Sequence, residues 1–154
     1  MAEVVESQTF QLPVSVVWAA LADFGAISRW APNVDHSCLT TATAAGMGAT
    51  RRVQAGRNTV LETVTEWEPE RCLAYSIDGL PPIVRSVTNS WNLVESGAMS
   101  DAVTEVTLTT QIDTGPRPPQ QMAARVLRRA FRNTSRQMLS GLDAHLQTMS
   151  QGIS

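Results

Sequence analysis

Residues 120–149, QQMAARVLRRAFRNTSRQMLSGLDAHLQTM, decide the reading of this chain. Leu127, Phe131, Met138, Leu142, Leu146 and Met149 recur at close to helical spacing, which predicts a single long amphipathic helix over 120–149. At 1.5 Å per residue that helix reaches about 45 Å, the width of a whole domain. About eighty residues that read as strands precede it. A long helix laid along a curved antiparallel sheet leaves space between the two, so the pattern suggests a container.

Working back from the helix, Gly115 to Pro119 holds three prolines and ends the last strand. Strands are expected at 34–41, 49–55, 59–67, 72–78, 84–95 and 103–113. Turn signals separate them at Gly46-Met47-Gly48, Gly56-Arg57-Asn58, Glu68-Pro69-Glu70, Gly79-Leu80-Pro81-Pro82, and Gly97 with Asp101. A first strand is expected over 3–11. Pro13 then opens a short helix with Val14, Val17, Trp18 and Leu21 as its apolar stripe. Gly25 breaks that helix, and a second short turn runs from Ala26 to Trp30 before Pro32. The expected order is strand, two short helices, six strands, long helix: an α+β chain with a curved antiparallel sheet of about seven strands, all in one domain over 1–154.

Composition bounds the function. The chain has 154 residues, 43% hydrophobic and 17% charged, with a net charge of −2. One domain of this length buries a real core. The slight acidic balance argues against general nucleic-acid binding. All twelve basic residues are arginine, a bias to which we assign no mechanism. The start of the chain lacks the basic and apolar pattern of a secretion signal, and no segment has the length of a membrane span. Cys38 and Cys72 have no metal-ligand spacing and are too few for a disulfide framework. The expectation is a cytoplasmic protein without metal or cofactor.

Several segments together resemble the polyketide cyclase/dehydrase family of the START-like (SRPBCC) superfamily. They are Val17-Trp18-Ala19-Ala20-Leu21-Ala22-Asp23-Phe24 leading to Trp30-Ala31-Pro32, and Gly46-Met47-Gly48 before Arg51. Glu62-Thr63-Val64-Thr65-Glu66-Trp67-Glu68-Pro69 before Leu73-Ala74-Tyr75, and Trp91-Asn92-Leu93, complete the set. The resemblance spans nearly the whole chain and implies a helix-grip fold, a bent sheet around the C-terminal helix with a ligand cavity between them. It also makes Trp30 a candidate for the cavity mouth, with a core aromatic as the alternative.

Alternation along the strands selects the cavity wall. Tyr75 faces inward with Leu73 and Ile77; Asn89 and Trp91 face inward with Val87 and Leu93, and Arg85 shares their parity. Val53 brings Arg51 with it. Val60 and Val64 select a face that also carries Glu62, whereas Leu61 and Trp67 argue for the opposite face. An unpaired buried charge is expensive, so Arg51 or Arg85 should meet Glu62, water or a ligand anion, or else reach solvent from a strand end. Tyr75 either offers its hydroxyl to a ligand or fills the cavity. Thr134 is the clearest inward polar residue on the helix, and Met122 and Met138 suit an adaptable lining. An apolar wall with a few polar groups is the composition of a small-molecule site.

His36 and His145 stand in no metal motif, and spacing assembles no nucleophilic triad. Arg117, Arg125, Arg128, Arg129, Arg132 and Arg136 form a run without an acid. Three functions remain in play. The first is binding or carrying a small hydrophobic or amphipathic molecule: a lipid, isoprenoid or polyketide. The second is an aromatase/cyclase that folds a polyketide chain, with Arg51 steadying charge and Glu62 or Tyr75 moving protons. The third is an adaptor that uses the arginine face for an acidic partner or transient membrane contact. The lack of a recognisable acid/base pair favours the carrier.

Overall fold

Strand-forming alternation becomes seven strands in the computed structural model, which describes residues 2–98, 100–116 and 118–152. In chain order they are β1 (Ala2–Phe10), β2 (His36–Leu39), β3 (Thr50–Ala55), β4 (Asn58–Glu68), β5 (Cys72–Asp78), β6 (Ser86–Ser96) and β7 (Val103–Asp113). They form one antiparallel sheet in the order β1-β7-β6-β5-β4-β3-β2. Consecutive strands from β2 to β7 therefore lie side by side, while β1 crosses over to pair with β7, Ala2 opposite Ile112. The long helix α2 (Pro118–Gly152) packs against β1 and β7, and the rest of the sheet curves around it. This is the expected helix grip, with the helix two to three residues longer at each end than the expected span of 120–149.

Between β1 and β2 lie the helix α1 (Val14–Ala22) and a 3-10 segment, Phe24–Arg29. Pro13 precedes α1 without a side-chain cap, so the orphan amide of Val14 is taken by the Glu95 carboxylate of β6 at 2.7 Å. The Ser37 hydroxyl of β2 donates to Gly25 O at 2.8 Å and accepts from Ser28 N at 3.0 Å, which ties the 3-10 segment to the sheet.

The conflict over β4 is resolved by a β-bulge. Its register against β5 shifts between Val64 and Glu66, so the inward parity changes within the strand. Glu62 and Val64 are buried before the bulge, and Trp67 is half-buried after it, edge-on to Trp18 at 5.2 Å. Leu61 is left 44% exposed. β2 is shorter than its expected span because the loop before it buries Val34 without strand geometry.

One glycine sets how closely α2 approaches the 3-10 end. A Cβ on Gly141 would lie 2.5 Å from Trp30 O and 2.6 Å from Pro32 Cδ. Only a residue without a side chain admits that contact. Among the described residues no helix is long and apolar enough to cross a membrane.

Candidate functional site

A cavity of about 260 Å³ lies between the middle of α2 and the sheet. Val53, Val60, Ile77 and Leu80 face Phe131 and Met138 across it, and Ile27 and Val34 close one side. Its polar wall consists of Asn33, Asn58, Glu62, Asn89, Thr110, Thr134 and Ser135. Of the expected site residues, Val53, Glu62, Asn89, Thr134 and Met138 thus lie on the wall. A larger groove of about 650 Å³ runs outside, between α1, the 3-10 segment and the C-terminal part of α2. Exposed Val16 and Met149 form part of it. We place the candidate site in the inner cavity, because there Glu62, Asn89, Thr110 and Ser135 are buried against apolar walls.

Arg51, Tyr75 and Trp91 face inward but do not reach that wall, and the site expected from parity is corrected accordingly. They are 2%, 0% and 1% exposed. The reason is packing. Register puts Arg51 opposite Glu62, and its Nε donates to Glu62 Oε1 at 2.7 Å, with Nη2 also 2.7 Å from Oε1. Its Nη1 donates to Phe24 O at 2.9 Å. The guanidinium lies 3.8 Å from the Phe24 ring centre and 4.7 Å from that of Tyr75. Arg51 is committed to the protein on all sides, so of the partners weighed for it, Glu62 is the one it takes.

Tyr75 fills the space beneath the cavity floor. Its oxygen accepts from Asn89 Nδ2 and Trp91 Nε1, each at 3.3 Å, and Asn89 Oδ1 accepts from the Thr110 hydroxyl at 2.7 Å. Burial first, and then the nearby Glu62 charge, push the Tyr75 hydroxyl above its usual pKa, with Arg51 opposing. The phenol is therefore a neutral structural acceptor.

Trp30 is off the inner cavity wall and lines the outer groove instead. It stands edge-on to Trp91 at 5.7 Å as a core aromatic, and its Nε1 is buried without a partner. Arg85 is off the wall and takes the other course expected for it, reaching solvent at the strand end. The turn closed by Val84 N to Pro81 O delays the strand to Ser86, and Arg85 stays exposed where its charge keeps its water. Met122, suggested as a lining residue, is 69% exposed.

Ser135, Phe131, Thr110 and Asn33 are wall residues that the sequence reading did not select. Thr110 had a signal, the inward parity of β7 that buries Thr104, Val106, Leu108 and Ile112. Ser135 had one too, four residues after Phe131 on the same helix face. Asn33 had none, because it sits in a loop.

Among the described residues no cluster of three His, Cys, Asp or Glu side chains is placed to hold a metal. On α2, Arg132 and Arg136 both bridge to Glu6 of β1, at 3.4 and 3.3 Å. Arg125, Arg128 and Arg129 are exposed, and Arg117 lies outside the described residues.

Comparison with known proteins matches this fold. The family profile described as polyketide cyclase/dehydrase and lipid transport matches residues 1–147. No curated protein matches the chain by sequence. Among solved structures, the Zhui aromatase/cyclase from Streptomyces sp. R1128 aligns with a TM-score of 0.76 at 19% identity, over 95% of this chain and 93% of that one. A protein from Thermobifida fusca aligns with a TM-score of 0.75 at 25% identity, over 98% and 95%. Ara h 8.0201 aligns at 0.67 and 16% identity, over 96% and 98%. The first and third of these likenesses speak to the fold alone.

Proposed function

The chain belongs to the polyketide cyclase/dehydrase and lipid transport family, and from that premise we propose that it binds and carries a small hydrophobic or amphipathic molecule beneath α2. The observation that carries the reading is the cavity of about 260 Å³, walled by apolar side chains with a few polar groups among them. Apolar walls supply affinity and sparse polar groups supply orientation. The volume lies just below the usual range of ligand pockets, roughly 300–1,000 Å³, which favours a compact ligand over a sterol. Cys38 and Cys72 as free thiols accord with a reducing, cytoplasmic setting.

An aromatase/cyclase activity is the second reading, and Glu62 is the observation that favours it. A carboxylate 9% exposed, oriented by Arg51 and present on the wall, is positioned to take a proton from a substrate folded against it. In this reading Arg51 positions Glu62 and does not touch the substrate.

A thermal-shift screen of short fatty acids, isoprenoids and aromatic polyketides tests the first reading. A ligand at a hundred times its dissociation constant adds about 2.7 kcal/mol to the native state. Thr134→Phe, which fills the cavity, should abolish the shift, and Arg129→Ala on the outer helix face should leave it intact. A screen without hits, or hits that Thr134→Phe retains, would overturn the reading.

A further inference from the structure

The cavity wall carries one acid and no basic residue. Both short Arg51 contacts land on Glu62 Oε1, and among the described residues no hydrogen bond reaches Oε2. Asn33, also on the wall, has its Oδ1 buried without a partner. Asn89 is already engaged at both ends of its amide, by Tyr75 and Thr110. The hydroxyls of Thr134 and Ser135 serve as donor or acceptor as required. The wall therefore carries charge of one sign, and its one buried side-chain atom without a partner, Asn33 Oδ1, is an acceptor.

Resting on the reading of this cavity as a ligand site, we propose that its ligand is a compact, uncharged apolar molecule bearing at least two hydroxyl or N–H donors, which satisfy Glu62 Oε2 and Asn33 Oδ1. A buried acceptor gains most from a donor, and a bond to a carboxylate is stronger than one between neutral groups. A carboxylate ligand meets the opposite situation. Its charge would face Glu62, while Arg51, the nearest cation, is already held by Glu62, Phe24 O and two aromatic rings. Ligands that offer only acceptors, such as ethers and ketones, leave both atoms unsatisfied.

Three probes of one ring size test this by calorimetry: a dihydroxynaphthalene, its dimethyl ether and a naphthoic acid. The diphenol should bind at least about tenfold more tightly than the ether, as one charge-assisted hydrogen bond predicts, and the acid should be weakest. Asn33→Leu leaves the Arg51–Glu62 pair intact and should reduce the preference for diphenol over ether. Glu62→Gln should reduce it further, provided that circular dichroism shows a folded protein. Equal binding of diphenol and ether, or tightest binding of the acid, overturns the donor class while leaving the cavity reading in place. Binding that survives Thr134→Phe instead removes the cavity reading itself. If none of the three probes binds, the donor-class inference falls, and hits in the wider thermal-shift screen would show that the cavity reading survives it.

Discussion

Tyr75 is the single tyrosine of the chain, so its chemistry can be followed without interference from others. Its oxygen receives two N–H donors, and the ring packs against Phe24 at 5.7 Å. Burial holds the phenol protonated above the ordinary tyrosine pKa of about 10. A folded-state pKa raised above the unfolded value gives stability that is complete below the unfolded value. That stability is lost as pH rises through the folded one. In an alkaline titration, phenolate absorbance should therefore lag behind the usual tyrosine range and rise together with loss of the circular dichroism signal. Phenolate appearing near pH 10 in a still-folded protein would contradict this. At this scale the sequence was informative about direction only. Alternation placed Tyr75, Asn89 and Trp91 inward, but parity says nothing of depth. Whether an inward side chain reaches a cavity or is covered by Arg51 depends on three-dimensional packing, which spacing does not encode.

The meeting of α2 with the 3-10 end turns on Gly141, and two opposed effects can be weighed there. Alanine is the better helix former by about 1 kcal/mol, so Gly141→Ala should strengthen the helix in isolation. In the protein the new Cβ would fall within 2.6 Å of both Trp30 O and Pro32 Cδ. Neither atom can rotate away, and overpacking of this kind costs about 1–3 kcal/mol. The clash should win. Thermal melting of Gly141→Ala should give a lower midpoint than the parent, by a few degrees for a chain of this length. A raised midpoint would mean that the Trp30–Pro32 segment yields freely. Helices and strands themselves were readable because their periods are strong over many residues. The bulge in β4 was not, because it appears in the sequence only as contradictory parities, with Glu62 and Val64 on one side and Trp67 on the other. The early start assigned to β6 failed for a local reason, since the Pro81–Val84 turn delays the strand by two residues, from 84 to Ser86.

At the scale of the whole molecule, the order of elements and the family resemblance anticipated a sheet gripping a helix. The volume between them was beyond reach, because it depends on how far α2 stands off the sheet. The same topology predicts slow folding. Six strands pair with sequence neighbours, but β1 pairs with β7 across about a hundred residues, Phe10 opposite Thr104. Sheets that cannot close without such a distant pairing fold more slowly than helical proteins of equal stability, in roughly milliseconds to seconds. Stopped-flow refolding should place the chain in that slow range, and a microsecond phase carrying the full amplitude would refute it. The crossover also has a consequence during translation. At about 5–20 residues per second, β1 emerges roughly 5–20 s before β7 exists to receive it. Through that interval Val4 and Phe10 have no core to enter, and the strand's hydrogen-bonding edges stay open to any other nascent chain. Glu3 and Glu6, on either side of Val4, are then the residues that keep the waiting strand from pairing with the wrong partner.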